Sequence, residues 1–228
     1  MYRILALTLI GVCLALPRFA NGGKETKAAG ITVDKEKKTV TVDAKVAPRK
    51  LEYLKGEIYP IEVIASLPHP AGKKAHETVV VLDVKPSDLH KALESIGLKA
   101  GAPIMGETKD KATGAQVNVY IDVTRPEGTK RLTMDKVLVD SRSGAPFPKS
   151  VKFIFTGSAM IQPDPEKDEK AYGADISGAF ITIFPVTNQI VMQTNLTMKE
   201  EKYLKLEVNP DLIPKEGTPV KLVIEAAK

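Results

Sequence analysis

The sequence contains very little cysteine, tryptophan and histidine. Its 228 residues include one cysteine, Cys13, no tryptophan and three histidines. A single cysteine cannot form an internal disulfide, a four-thiolate zinc site or an iron–sulfur cluster. The sequence also lacks a Walker loop and a G-x-G-x-x-G motif, so it gives no support for a nucleotide-binding site. These absences argue against several common classes of redox and nucleotide-dependent enzyme.

Charge of one sign is not concentrated anywhere in the chain. Thirty-three Lys and Arg residues stand against 28 Asp and Glu residues, and the net charge of +5 is spread along the sequence. Basic residues are interleaved with acidic ones, so we expect no nucleic-acid partner. The 43% hydrophobic and 27% charged residues are typical of a globular protein and exclude a wholly disordered chain or a coiled coil.

The first 20 residues have the pattern of an export signal. Arg3 precedes an apolar run over residues 4–16, which is shorter than the roughly 20 residues that a membrane-spanning helix needs. Pro17 and the small residue Ala20 follow, so we predict a signal peptide over residues 1–20 that is cleaved on export. A retained anchor and lipidation at Cys13 are the alternatives. The predicted location is periplasmic, extracellular or in the cell envelope, with no stable membrane span after cleavage.

The rest of the chain is predicted to be rich in β-strands. A flexible leader over residues 21–30 precedes a single domain over residues 31–228, whose β-rich extension begins near residue 104. Two lobes meeting near residues 103–115 are the alternative. Alternating apolar residues predict an opening hairpin, and apolar-rich segments separated by Pro and Gly predict further strands at residues 59–67, 116–123, 131–139, 151–156, 178–184, 189–193, 204–208 and 220–225.

One strand and one helix stand out within this pattern. Residues 78–84 are apolar on both faces, which is typical of a central strand that is covered on both sides. Residues 86–97 then show apolar side chains at i, i+3, i+4 and i+7, with Pro86 at the start and Gly97 at the end. We therefore predict an α+β fold of mostly antiparallel sheets, with one amphipathic helix following a central strand.

The three histidines fall within a short stretch and suggest a divalent transition-metal site. His69 lies in the loop before the predicted central strand, and His76 and Glu77 open that strand. Imidazole and carboxylate are suitable ligands for zinc, copper or nickel. Strand alternation, however, sends His76 and Glu77 to opposite faces. A metal site of His69, His76 and Glu77 is therefore one interpretation, and histidines that simply bond to the backbone are the other.

His90 is expected to lie apart from the other two histidines. A helix that folds back on the preceding strand places His90 on the order of 20 Å from His76, so the three side chains cannot share one ion. His90 lies at the rim of the apolar stripe, and Glu94 follows it at i+4. Acid–base use and a plain structural role both remain open for His90.

An acidic stretch, residues 164–169, with Asp175 beyond it, has some of the spacing of a calcium loop. Glu169 stands where such a loop needs a glycine, and lysines interrupt the acids. We interpret this stretch as a solvated charged loop.

The stretch that contains these candidates resembles a known family. Residues 74–78 (KAHET), 80–84 (VVLDV), 86–93 (PSDLHKAL) and 97–103 (GLKAGAP) are similar to the core signature of YdjY-domain proteins, which are exported or envelope proteins. The hairpin over residues 31–42 resembles their opening segment, so the similarity is strongest over residues 30–103. The resemblance implies that His76, Glu77 and His90 belong to the family motif, but it implies no particular activity.

The functional prediction follows mainly from what is missing. With no nucleophile motif and no cofactor loop, we expect an exported, non-enzymatic binding or structural module of the cell envelope with no cofactor. Its expected partner is an envelope protein or a surface polymer, and its oligomeric state is left open. The first alternative is a metal-binding protein that uses His69, His76 and Glu77. The second is an exported hydrolase that uses His76 and Glu77, or His90, with a distant carboxylate.

Overall fold

The computed structural model describes residues 26–228. The predicted signal peptide, Cys13 and the first part of the predicted leader lie outside the described residues. None of the helices in the described part of the chain has the length and apolar character needed to cross a membrane.

The described chain consists mainly of strands joined by short helices. The strands are β1 (Thr26–Ala28), β2 (Ile31–Asp34), β3 (Thr39–Val46), β4 (Val63–Ser66), β5 (Thr78–Leu82), β6 (Ala100–Ala102), β7 (Thr113–Arg125), β8 (Gly128–Thr133), β9 (Leu138–Asp140), β10 (Phe153–Phe155), β11 (Met160–Ile161), β12 (Ala171–Tyr172), β13 (Ala179–Thr182), β14 (Met192–Thr194), β15 (Leu206–Val208) and β16 (Pro219–Ala226). The α-helices are α1 (Pro86–Ser95), α2 (Met134–Val137), α3 (Gly173–Ser177) and α4 (Met198–Tyr203), and 3-10 helices cover Glu52–Leu54 and Ala75–Glu77.

Eight of the strands form a sheet that closes on itself. Its order is β3-β16-β7-β10-β14-β13-β4-β5, and β5 pairs again with β3 to complete the ring. The sheet can close because β2 and β5 pair with different parts of the same edge of β3. Its first half pairs with β2, and Ala44 to Val46 pair with Leu82 to Val80 of β5. The hairpin of β1 and β2 extends from this ring, and β6 and β8 attach to β7.

The predicted fold class is wrong. The sheet is closed, and it is mixed because β4 pairs with β5 and β13 pairs with β14 in parallel. The helices are few and short, so they do not form the helical part of an α+β fold. Periodicity along one segment shows which face is buried, but it does not show which distant strands pair, and closure depends on those pairings.

Three of the predicted segments discussed above also differ from the observed elements. The central strand ends at Leu82, and the following helix ends at Ser95. The strand predicted at residues 131–139 is interrupted by α2, which buries Met134 and Val137. Tertiary packing of these two side chains therefore outweighs the local strand pattern.

The core lies where alternate residues of the strands point inward. Buried positions recur every second residue along β3, β7 and β16, and they belong to one apolar cluster: Val40, Val42, Ala44, Val46, Val117, Val119, Ile121, Val123, Val220, Leu222 and Ile224. Helix α1 adds its stripe of Leu89, Ala92 and Leu93 to the same cluster. The ring is thus a packed framework that positions the loops at its ends.

Candidate functional site

His76 and Glu77 lie together in the 3-10 helix that precedes β5. His76 Nε2 is 3.2 Å from Glu77 Oε1. The expectation that these side chains point to opposite faces is not met, because the two residues occupy a helical turn and not the first positions of a strand. Strand β5 begins at Thr78, the residue after Glu77.

The second oxygen of Glu77 is bound by a lysine. Lys74 Nζ lies 2.6 Å from Glu77 Oε2 and 2.8 Å from Glu62 Oε2, so one ammonium group bridges two carboxylates. Burial raises the pKa of Glu62. Burial alone would lower the pKa of Lys74, but the two carboxylates outweigh it and raise that pKa. Lys74 therefore stays charged, and both oxygens of Glu77 are engaged.

The other ring nitrogen of His76 faces two tyrosines. Tyr53 OH lies 3.4 Å from His76 Nδ1, and the Tyr59 ring meets the imidazole edge-on at 5.3 Å between centroids. An imidazole that carries its proton on Nε2 directs that proton toward the Glu77 carboxylate and can accept from the Tyr53 hydroxyl through Nδ1. Burial, with added repulsion from Lys74 and Arg49, lowers the pKa of His76. The imidazole is therefore neutral at neutral pH.

His69 joins the same surface through a tyrosine ring. It stacks on Tyr53 with 4.4 Å between centroids and 26° between planes. Tyr53 and Tyr59 are 48% and 36% exposed, so their rings face solvent. We call Tyr53, Tyr59, His69 and His76 the tyrosine–histidine patch. The two tyrosines were missed as site residues in the sequence, because no motif marks either of them. Tyr59 opens the strand predicted over residues 59–67, but β4 begins only at Val63, so Tyr53 and Tyr59 both lie in the connection between β3 and β4.

The three residues predicted as metal ligands are only partly brought together. His76 contacts Glu77, but His69 packs against Tyr53. Within residues 26–228, no group of three or more His, Cys, Asp or Glu side chains has an arrangement that could hold a metal ion. Glu77 is, in addition, already paired with Lys74. The metal site of His69, His76 and Glu77 stays a prediction.

A buried arginine binds the backbone of two residues of the patch. Arg49 is 7% exposed, and its guanidinium donates to the carbonyl oxygen of His76 at 2.5 Å and to that of Tyr59. It also makes a two-pronged ion pair with Glu207 of β15, with both distances 3.0 Å. Paired Arg–carboxylate hydrogen bonds of this kind are strong and fix geometry. The backbone beneath two of the four rings is therefore tied to a distant strand.

His90 occupies a separate environment on α1. His90 Nδ1 is 2.8 Å from Tyr172 OH, and Nε2 is 3.3 Å from Glu94 Oε1. The imidazole packs edge-on against Phe155 at 4.9 Å between centroids. Burial raises the pKa of Tyr172, which keeps the phenol protonated as a hydrogen-bond donor. The partners of His90 are thus different from those of His76 and His69.

Gly157, in the loop that follows β10, lies beside His90, and both its backbone conformation and the space available require a glycine. Gly157 has a φ of +67°, and a Cβ at this position would lie 3.3 Å from His90 Cε1. A side chain here would strain the backbone and crowd the imidazole. The imidazole of His90 is therefore closely surrounded by Gly157, Phe155 and Tyr172.

The fold and the patch together define a β-rich protein with a closed sheet and an exposed cluster of tyrosine and histidine rings. The chain belongs to the YdjY family, because the family model described as the YdjY domain matches residues 31–225. The match extends well beyond the stretch over residues 30–103 that carries the clearest resemblance in the sequence. No curated protein and no solved structure matches the chain.

Proposed function

We propose that this protein is an exported, non-enzymatic binding module of the cell envelope, and that the tyrosine–histidine patch binds another envelope protein. One observation carries the proposal. The exposed rings of Tyr53, Tyr59 and His69 cluster with the ring of His76, whose side chain is 16% exposed, and buried Arg49 fixes the backbone of Tyr59 and His76. An exposed ring cluster on a rigid base is the arrangement expected of a protein-binding hot spot.

The energetics of such a surface favour binding. Tyrosine offers a large apolar ring and a polar hydroxyl, and it loses little conformational entropy when it is held in place. The stacking of Tyr53 on His69 already restricts both side chains before any partner arrives. Less ordering is then required on binding, so more of the contact energy becomes affinity.

The chemistry of the cluster gives less support to the hydrolase alternative. A general base must reach its substrate, and Glu77 is only 7% exposed and lies in contact with Lys74 and His76. His76 in turn faces Tyr53 and Tyr59. Three clefts of about 550, 530 and 520 Å³ are lined by residues outside the tyrosine–histidine patch.

Site-specific photocrosslinking in the native host tests the proposal. A photoreactive phenylalanine analogue replaces Tyr53 or Tyr59, and the matched control replaces Tyr203, which is 72% exposed on α4. We expect one discrete crosslinked protein from positions 53 and 59 and none from position 203. The crosslink should disappear when His69→Ala is added, because the ring that stacks on position 53 is then lost.

Other outcomes of this experiment would overturn the proposal. The same crosslinked species from all three positions, or none from positions 53 and 59, contradicts a protein-binding patch. A broad, glycosidase-sensitive product would instead indicate a surface polymer. Native mass spectrometry with added Zn²⁺ tests the metal alternative, which gains support only if one ion binds and is lost in both His69→Ala and His76→Ala.

A further inference from the structure

A cleft opens where one edge of β7 changes its partner strand. β10 pairs with β7 at residues 115–117, and β8 pairs with it from residue 120 onward. Between them, Asn118 and Val119 have β16 on one edge and, among the described strands, no partner on the other. In the closed sheet, β7 and β10 lie on the opposite side from β4 and β5, whose flanking segments carry the tyrosine–histidine patch. The cleft is therefore a separate feature.

The size and lining of this cleft are typical of a small-molecule site. Its volume is about 550 Å³, within the range of roughly 300–1,000 Å³ that is usual for ligand pockets. One wall is formed by Met134 and its neighbours in α2, and the other by the segment from Phe147 to Phe153. Met134, Phe147, Val151 and Phe153 give the cleft an apolar part. A ligand with an apolar body is thus accommodated between the walls.

The charges around the cleft are not balanced. Lys149 on one wall pairs with Asp135 on the other, with 3.6 Å between Nζ and Oδ2. Lys136 and Lys152 also line the cleft and are exposed, and neither ammonium group has an ion-pair partner among the described residues. Two uncompensated positive charges therefore face one opening.

We propose that this cleft binds a small organic anion with an apolar body. The acidic group lies between Lys136 and Lys152, and the apolar body packs against Met134, Val151 and Phe153. Charge complementarity selects the anion, and the apolar side chains along the walls contact its body. The inference does not rest on the proposed function, because it uses none of the residues of the tyrosine–histidine patch.

A pair of fluorescent probes with and without an anionic group tests this proposal. The probes are 8-anilinonaphthalene-1-sulfonate and the uncharged N-phenyl-1-naphthylamine, each titrated into the purified folded protein. We expect the sulfonate to bind with one-to-one stoichiometry and the neutral probe to bind more weakly. Replacing both lysines, Lys136→Met with Lys152→Met, should weaken sulfonate binding by about three- to tenfold, since exposed charge pairs contribute modestly.

The controls separate this cleft from general stickiness. The matched double variant, Lys111→Met with Lys170→Met, removes two exposed lysines elsewhere and should leave the sulfonate affinity unchanged. Bound sulfonate should also protect Lys136 and Lys152, but not Lys111, from acylation. Equal affinities for the two probes, or equal losses in the cleft and control variants, would overturn the proposal. Circular dichroism confirms that each variant is folded.

Discussion

Arg49 is the residue whose loss we expect to be most costly near the patch. Its buried guanidinium binds Glu207 and two carbonyl oxygens at once. Arg49→Met removes these donors and leaves the carboxylate and the carbonyls without them, so we expect a loss of about 3–5 kcal/mol in the free energy of unfolding. Denaturant titration measures this loss.

The matched control for Arg49 is an exposed arginine with two acidic partners. Arg131, whose side chain is 44% exposed, pairs with Asp122 and Glu225. Arg131→Met should cost about 1 kcal/mol or less, because exposed ion pairs contribute little. If the two variants lose the same stability, Arg49 does not hold the patch as inferred.

His76 should make stability depend on pH in a defined direction. Burial lowers its pKa in the folded protein below the unperturbed 6.5, so the unfolded chain takes up the proton first as pH falls. The contribution of neutral His76 is complete above about pH 6.5 and is lost as pH falls through its folded-state pKa. We therefore expect His76→Gln to lose less stability than the natural chain between pH 7 and pH 5.

The comparison with His76→Gln isolates the histidine from its acidic neighbour. Glu62 has a raised pKa, so its titration favours the folded state as pH falls, in the opposite direction. Denaturant unfolding at several pH values gives the two slopes, and NMR titration of the His76 ring gives its midpoint directly. A midpoint at or above 6.5, or identical slopes, would contradict this account.

At the scale of elements, helix α1 depends on a residue far away in the sequence. Lys85 at its N-cap makes no side-chain capping bond, and the backbone N–H of Ser87 instead donates to Asp175 Oδ1 at 2.8 Å. Asp175→Ala should cost about 1 kcal/mol, as the loss of other helix caps does, and should speed hydrogen exchange at Ser87. Asp175→Asn retains an acceptor oxygen and should cost less.

The control for this cap lies in the same first turn. Asp88 is exposed and, among the residues that the structure describes, pairs with Lys91 alone at 3.5 Å, so Asp88→Ala should cost about a few tenths of a kcal/mol. Equal effects of Asp175→Ala and Asp88→Ala would show that simple negative charge, and not the capping bond, stabilises the helix.

The elements differ in how much of them the sequence could predict. The apolar stripe of α1 and the buried run of β5 arise from local periodicity, and both segments begin where that periodicity places them and end two residues earlier than predicted. The 3-10 turn that contains His76 and Glu77 has no periodic signal, and neither does the turn that contains Tyr53. Tyr59 lies within the strand predicted over residues 59–67, but the observed strand begins only at Val63. The site was therefore only partly predictable, since His76 and Glu77 belong to a family motif, His69 was found only by its closeness in sequence, and the tyrosines follow no motif.

At the scale of the whole molecule, the closure of the eight-stranded sheet could not be predicted from the alternation of apolar residues within each strand. β16 near the end of the chain lies between β3 and β7, and its register joins Leu222 both to Val42 and to Ile121. Alternation in each strand is compatible with many such pairings. The choice between them is made by packing of the complete core.

The central place of β16 gives a final prediction about the whole fold. Without residues 219–228, β3 and β7 each lose a paired edge, and the buried side chains of Val220, Leu222 and Ile224 are removed from the core. We expect the chain truncated after Thr218 to lose its cooperative thermal transition. Leu222→Ala, which removes one fully buried side chain, should cost about 2–5 kcal/mol and keep the transition. Exposed Lys221→Ala on the same strand should unfold like the natural chain. Calorimetry distinguishes these three cases, and a truncated chain that still unfolds cooperatively near the natural midpoint would show that the ring does not need β16.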